Sequence, residues 1–263
     1  MCFRFSLFFA LAVACHASQS NAVLRIAADP NNLPFSNEKL EGFENKIAEL
    51  IARDLNAGIE YRWRAQRRGF FRETLKEGDC DLVLGVPTGF ERALTTKAYY
   101  RSSYAFVYRK DSGITVKSFD DPQLRTLRVG IQLIGDDGAN TPPAHALAAR
   151  NIVTNIVGFT VYGDYARQNP AAQIVDAVIE KNVDVAVIWG PLAGYFAKQH
   201  GPGLQVIPVL DDPQSPSLPM SFKISFGVKR SNKELCDKLN DVLERRRPDI
   251  DRILEEYGIP QVH

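Results

Sequence analysis

The chain has 263 residues, of which 45% are hydrophobic and 24% are charged, a balance typical of a folded globular protein and not of a disordered one. Its 32 lysines and arginines nearly equal its 31 acidic residues, so the formal net charge is only +1. This neutrality argues against a nucleic-acid-binding protein and against electrostatic attraction to an anionic membrane.

The N-terminal segment, residues 1–22, has the pattern of a secretory signal peptide. Arg4 gives a positively charged start, residues 7–14 form a short apolar run, and small residues up to Ala22 offer a cleavage site. The run is too short to span a bilayer, so we expect no membrane anchor. A lipoprotein signal ending at Cys15 is the alternative, although its spacing matches less well. Cleavage removes one arginine and leaves a neutral mature chain.

Two cysteines, Cys80 and Cys236, remain after the signal is removed. In an oxidising compartment they form either one long-range disulfide or two separate buried thiols, and the sequence leaves both alternatives open. The chain has no Cys-x-x-Cys motif, and its four histidines are scattered. We therefore expect no zinc site, no other metal and no cofactor.

Apolar periodicity predicts alternating strands and helices in the first half of the mature chain. Phe43, Ile47 and Ile51 recur at helical spacing, whereas residues 59–64 alternate strictly, as a half-buried strand does. The predicted strands are 23–28, 59–64, 81–86 and 104–108, with a loop over 29–36, one helix from Phe43 to about residue 55 and a second over 70–76.

The alternation starts afresh near Val129, which suggests a second lobe. The predicted elements are strands at 127–131, 152–159, 183–188 and 222–228, and helices at 143–150, 171–181, 233–246 and 248–257. This order is typical of an α/β protein with mainly parallel sheets covered by helices on both faces. Ligands of such sheets bind beyond the carboxyl ends of the strands, which selects the loops after Ala28, Val86 and Ile188.

Those three loops carry a family resemblance. The segment LRIAAD at 24–29 and the later GFE at 42–44 resemble the opening of type II periplasmic solute-binding proteins. The segments CDLVLGVPTG at 80–89, YYRSSY at 99–104 and IWGPLAGY at 188–195 resemble a narrower group. It comprises the binding-protein-like J proteins (MxaJ/XoxJ type) encoded with methanol dehydrogenases that use pyrroloquinoline quinone (PQQ).

The resemblance covers residues 23–260 and implies a bilobal type II periplasmic binding protein fold. Lobe one would comprise residues 23–110 plus 223–263, and lobe two residues 111–222. Two strands that cross between the lobes, near 104–109 and 222–228, would serve as hinges for closure over a ligand.

The resemblance also implies where a ligand would bind. Amino-acid receptors of this class clamp the ligand carboxylate with an arginine, and Arg92 matches that position. They bind the ligand ammonium with an acid after the second-lobe strand, but here the chain has Trp189. Since a buried ammonium without a carboxylate is poorly compensated, amino-acid binding is doubtful. The acids Asp136 and Asp137 also replace small hydroxylic residues of the family.

The expected cleft residues come from the three loops and the segments beside them. They are Asp29, Asn31, Phe35, Arg92, Tyr99, Tyr100, Gln132, Trp189, Gly190 and Pro191. Ordinary roles compete with these assignments: Asp29 and Asn31 could cap a turn, and the tyrosines could be packing aromatics.

The resemblance implies a periplasmic accessory protein of a PQQ-dependent methanol or other alcohol dehydrogenase. It would act by binding that enzyme, with the enzyme's cytochrome c as a second candidate partner. The alternative is an extracytoplasmic receptor that delivers a small organic molecule to an ABC importer. A third reading, an enzyme, would need a cleft acid–base pair such as Glu91 and Asp29, and no spacing fixes their geometry. We therefore expect a protein without catalytic activity.

Overall fold

The computed structural model describes residues 22–67, 69–134, 140–160, 165–209, 212–214 and 216–262. Except for residue 22, the predicted signal peptide lies outside these residues. Asp136 and Asp137 lie outside them as well. Within the described residues no helix is long and apolar enough to cross a membrane.

Strands and helices alternate along the described chain. The strands are β1 (Val23–Ala28), β2 (Asn31–Asn32), β3 (Ser36–Asn37), β4 (Gly58–Trp63), β5 (Leu82–Pro87), β6 (Leu94–Thr95), β7 (Tyr100–Arg109), β8 (Val129–Leu133), β9 (Ile156–Thr160), β10 (Val185–Trp189), β11 (Leu204–Pro208) and β12 (Ser221–Val228). The α-helices are α1 (Phe43–Asp54), α2 (Pro142–Ala149), α3 (Gln173–Ile179), α4 (Gly190–His200), α5 (Lys233–Arg245) and α6 (Arg247–Glu256).

One continuous sheet links two α/β halves. Its order is β4-β1-β5-β12-β7-β10-β8-β9, with β6 beside β12 and β11 beside β7. Strand β1 pairs in parallel with β4 and β5, and β8 pairs in parallel with β9 and β10. We use "first lobe" for β1–β6, β12, α1, α5 and α6, and "second lobe" for β8–β11 and α2–α4. The predicted α/β bilobal fold class is confirmed.

Strand β7 belongs to both lobes. Its first part, up to Ser103, pairs with β12, and from Tyr104 onward it pairs with β10 and β11. A single extended strand therefore passes from one lobe to the other, as expected of a hinge. The lobe boundaries after residues 110 and 222 stay a prediction.

Each lobe has its own apolar core. On α1, Phe43, Ile47 and Ile51 are fully buried and belong to the same cluster as Leu82 and Phe226 of the sheet. Their spacing of about one helical turn puts all three on one face of α1. In the second lobe, two clusters lie on the two faces of β10, because its successive side chains point to opposite sides.

Several elements differ from the expectations, among them the two-residue strands β2, β3 and β6, which were not predicted. The helix predicted over 70–76 is present, but most of it, Arg72–Lys76, is π-helical. Helix α4 and strand β11 were not predicted at all. Helix α4 begins at Gly190 and Pro191. Glycine followed by proline usually indicates the end of a helix or strand, but proline is also favoured in the first turn of a helix.

The two cysteines are free and buried, each in a different apolar cluster. Burial raises the pKa of the Cys80 thiol to about 11. The Cys236 thiol donates to the Thr95 carbonyl oxygen at 3.6 Å. Of the two alternatives, the structure has two separate buried thiols and not a disulfide.

Candidate functional site

A cavity of about 990 Å³ lies between the lobes, at the carboxyl ends of β1, β5 and β10. Six of the ten expected cleft residues line it: Asp29, Asn31, Phe35, Arg92, Gln132 and Trp189. The segments after all three selected strands, β1, β5 and β10, thus meet in one space, as the rule for parallel sheets predicts. We call this space the interlobe cavity.

Two of the expected residues lie in the core and not in the cavity. Tyr99 and Tyr100 are 0% and 2% exposed and pack in the first lobe. The Tyr99 hydroxyl donates to Glu44 Oε1 at 3.0 Å. Trp189 packs against the same apolar cluster that contains both tyrosines. The placement of both tyrosines in the cleft was therefore wrong, and their cluster instead supports a tryptophan that does line the cavity.

The other two expected residues, Gly190 and Pro191, are buried at the start of α4 and do not line the cavity. A Cβ at Gly190 would lie 2.5 Å from the Ser103 carbonyl oxygen and 2.6 Å from Ser102 Oγ. Only glycine lets α4 approach β7 this closely. The role of Gly190 is thus to hold Trp189 against the strand that joins the lobes.

Aromatic side chains form much of the cavity wall. Trp189 packs edge-on against Tyr104 and Phe222, with ring centroids 5.5 and 5.8 Å apart. Phe35 lies between the cores of the two lobes. Phe70 and Phe71, which the sequence reasoning did not select, line the same space. Such a wall suits an apolar or aromatic group of a ligand.

Asp29 is the single carboxylate among the described residues that line the cavity. It is 4% exposed, and its oxygens are already occupied. Oδ1 accepts the Asn31 N–H at 2.9 Å, and Oδ2 accepts the Gln66 N–H at 2.6 Å and the Tyr165 hydroxyl. Within the described part of the cavity, each oxygen of this one carboxylate therefore already accepts at least one hydrogen bond from the protein.

Two cations line the cavity. The Arg67 guanidinium lies 4.8 Å from the centroid of the Tyr165 ring, a cation–π distance. Arg92 is exposed, and no carboxylate of the described chain forms an ion pair with it. Arg92 can therefore offer its bidentate donors to an incoming carboxylate.

The loop after β1 bridges the lobes. Its short hairpin, β2 and β3, carries Leu33, which is buried in the second lobe among Ile188 and Leu192. Asn31 Nδ2 donates to the Arg167 carbonyl oxygen at 2.8 Å.

Sequence reasoning missed three residues of the cavity wall, Gln66, Arg67 and Tyr165, because the loops that hold them lack a recognisable motif. Among the described residues no group of three or more His, Cys, Asp or Glu side chains could hold a metal.

The model of the bacterial extracellular solute-binding proteins, family 3, matches residues 24–260. The chain belongs to this family. The family 3 chain is 28% identical to Protein MoxJ of Methylorubrum extorquens (strain AM1), over 94% of this chain and 84% of MoxJ.

Two solved structures are similar to this family 3 chain. The periplasmic binding protein XoxJ from Methylobacterium extorquens AM1 is 37% identical, with a TM-score of 0.74 over 91% of this chain and 99% of XoxJ. MxaJ from Methlophaga aminisulfidivorans MPT is 26% identical, with a TM-score of 0.76 over 91% of this chain and all of MxaJ (100%). The resemblance to the J proteins is thereby confirmed.

Proposed function

We propose that this protein is a periplasmic accessory protein of a PQQ-dependent methanol or other alcohol dehydrogenase. It binds the dehydrogenase and assists its maturation or activation, with a segment of the enzyme held in the interlobe cavity. The enzyme's cytochrome c is a second candidate partner. The N-terminal segment is cleaved on export, and no catalytic step is assigned to the protein.

The similarity to MoxJ, XoxJ and MxaJ supports this proposal over 91% or more of the chain. The J proteins, as the sequence resemblance implies, are encoded with PQQ-dependent methanol dehydrogenases. Their solute-binding family supplies the scaffold, and the departures from receptor chemistry suggest that the scaffold has a different ligand.

The observation that carries the proposal is the chemistry around Trp189. At the position where an amino-acid receptor places an acid, this chain has an indole packed between Tyr104 and Phe222. The carboxylate of Asp29 already accepts three hydrogen bonds from the protein itself. An aromatic, partly open cavity whose one carboxylate among the described residues is already hydrogen-bonded suits an apolar side chain of a protein segment, since aromatic walls make good anchor sites.

The test is binding of the signal-free protein to the dehydrogenase of the same periplasm, measured by calorimetry or biolayer interferometry. We expect a complex that Trp189→Ala weakens by about tenfold or more, as loss of a buried aromatic anchor does. Trp63→Ala is the matched control, because Trp63 stacks on Tyr61 of β4 outside the cavity. Failure to form a complex at any salt concentration would contradict the proposal, as would equal weakening by the two variants.

The rival function, a receptor for a small solute, is tested on the same protein. Calorimetric titration with amino acids, small carboxylic acids, alcohols and the quinone cofactor should give no binding in the low-micromolar range. Tight binding of one of these compounds, combined with loss of binding in Trp189→Ala, would favour the importer receptor over the accessory protein.

A further inference from the structure

A second cavity, of about 960 Å³, adjoins the interlobe cavity on the first lobe. Gly69, Phe71 and Arg92 line both spaces, so the aromatic wall of the first leads directly into the second. Each space alone is at the upper end of the volume of a small-molecule site, roughly 300–1,000 Å³. Together they are larger than one small solute needs.

The second cavity is strongly basic. Its charged lining consists of Arg72, Lys76, Arg92, Lys229 and Arg230, against one acid, Glu91. We call this lining the basic groove. Because the chain as a whole is nearly neutral, the basic groove is a local concentration of positive charge.

Most of this charge has no acidic partner. Among the described residues, Lys76, Arg92, Lys229 and Arg230 form no ion pair: Lys229 Nζ donates to the Gly78 carbonyl oxygen, and Arg230 donates to that of Glu91, both at 3.0 Å. Arg72 is the exception, since Glu73 lies 3.1 Å away and Glu77 4.0 Å away. An anionic ligand would therefore meet four cations that form no ion pair with any carboxylate of the described residues.

We propose that the basic groove binds an acidic segment of the same polypeptide whose apolar side chain occupies the interlobe cavity. This inference rests on the proposed function, because it takes the occupant to be part of the partner protein. The two adjoining spaces favour a peptide in which an aromatic residue and several Asp or Glu residues lie within a few positions of one another.

Arg92 lies at the junction of the two cavities and fixes the order of these groups. Its guanidinium can hold the first carboxylate by two parallel hydrogen bonds. Lys76 and Arg230 then meet the later carboxylates farther along the groove. Both side chains are exposed, so each contact is weak alone and screened by salt, and the acidic segment must engage several of them together.

The test uses two fluorescent synthetic peptides, Phe-Trp-Gly-Gly-Asp-Glu-Asp-Glu and its neutral counterpart with Asn and Gln in place of the acids. Fluorescence polarisation with the signal-free protein should give tighter binding of the acidic peptide. Its advantage should decline as salt rises from about 0.05 M to about 0.5 M, the range over which exposed charges become screened. Equal binding of both peptides would overturn the proposal.

Charge-reversal variants locate the contact. Lys76→Glu combined with Arg230→Glu should weaken binding of the acidic peptide by about tenfold or more and leave the neutral peptide unaffected. Lys110→Glu combined with Lys117→Glu, two exposed lysines outside the groove, is the matched control. If the charge-reversal variant does not fold, the milder double variant Lys76→Gln, Arg230→Gln takes its place.

A competition experiment identifies the occupant. Citrate and inorganic phosphate are added as competitors of the acidic peptide. If either displaces the acidic peptide at an equal concentration, the occupant is a free anion and the peptide assignment is wrong.

The same variants separate this inference from the proposed function. If the dehydrogenase binds the wild type and the Lys76→Glu, Arg230→Glu variant equally, the basic groove is not its docking site and the accessory function stands. If the acidic peptide binds through the groove and the dehydrogenase does not bind, the groove assignment stands and the accessory function falls.

Discussion

The Tyr165 hydroxyl donates a hydrogen bond to the Asp29 carboxylate across the interlobe cavity. Asp29 follows β1 of the first lobe, and Tyr165 belongs to the segment between β9 and α3 of the second. Burial, together with this bond and the charge of Asp29, raises the pKa of Tyr165. The bond and the neighbouring one from Asn31 to the Arg167 carbonyl oxygen link the two lobes.

Removing the hydroxyl should let the lobes separate. Tyr165→Phe is expected to lower the free energy of unfolding by about 1.5–3 kcal/mol, the range for a hydrogen bond to a charged group. Small-angle scattering should give a larger radius of gyration for the variant. Tyr108→Phe is the control, because Tyr108 is buried inside the second lobe away from the cavity. An unchanged radius would mean that Leu33 and strand β7 hold the lobes in place without this bond.

A second prediction concerns Glu44 in the first turn of α1. Burial raises the pKa of its carboxyl from 4.5 to about 7, although the hydrogen bond from Tyr99 opposes this. Gly85, which lines the interlobe cavity, is so close that a Cβ there would lie 2.5 Å from Glu44 Oε1. The folded chain therefore holds this proton more tightly than the unfolded chain does.

The free energy of unfolding should then fall as the pH rises from about 4.5 to about 7, and stay lower above that. We expect a loss of the order of 2 kcal/mol between pH values near 5 and near 8. Glu44→Gln should remove this loss, as urea unfolding at the two pH values would measure. Glu255→Gln, an exposed residue of α6, should leave the pH dependence as in the wild type. A Glu44→Gln protein with the wild-type pH dependence would contradict the assignment.

Local pattern and topology were enough to predict the fold class and part of the site. Asp29 directly follows β1, and Trp189 is the last residue of β10. The rule for parallel sheets therefore placed both residues at the cavity. Tyr99 directly precedes β7, and Tyr100 is its first residue. At the start of a strand, the sequence does not reveal which face is buried. In the structure, both rings pack inside the first lobe.

The residues that sequence reasoning missed lie where contacts join distant segments. Tyr165 is 136 positions from its partner Asp29, and no local pattern records such a pairing. The basic groove is also formed by segments that are far apart in the sequence. Its cations come from the turn at residues 72–76, from Arg92, and from the segment after β12, so its charge is concentrated only by folding.

A third prediction concerns the contact between α4 and the C-terminal segment. A Cβ on Gly194 would lie 2.0 Å from the Gly258 carbonyl oxygen and 2.7 Å from Pro260 Cδ. Gly194→Ala should therefore displace the C-terminal segment and lower the free energy of unfolding by about 1–3 kcal/mol, the usual cost of overpacking. Hydrogen exchange should speed up at Val262, whose N–H bonds to the Arg101 carbonyl oxygen. Gly203→Ala, with open space around it, should change neither measurement.

A fourth prediction concerns a buried ion pair in the second lobe. Arg150, at the end of α2, contacts Asp212 by two hydrogen bonds of 2.8 and 2.6 Å, and their side chains are 5% and 2% exposed. Arg150 also bonds to Asp120 Oδ1 at 2.8 Å and to the Ala146 carbonyl oxygen at 3.1 Å. The guanidinium thus ties the segment at Asp212 to the end of α2.

Asp212→Ala should lower the free energy of unfolding by about 3–5 kcal/mol, because it leaves a buried guanidinium with only the half-exposed Asp120 as its acidic partner. Urea denaturation measures the change. The double variant Arg150→Met, Asp212→Leu should lose less than the single variant, since an apolar pair of similar volume needs no compensating charge. If the double variant is as unstable as Asp212→Ala, the single variant's loss comes from the packing of this segment and not from the unpaired charge of Arg150.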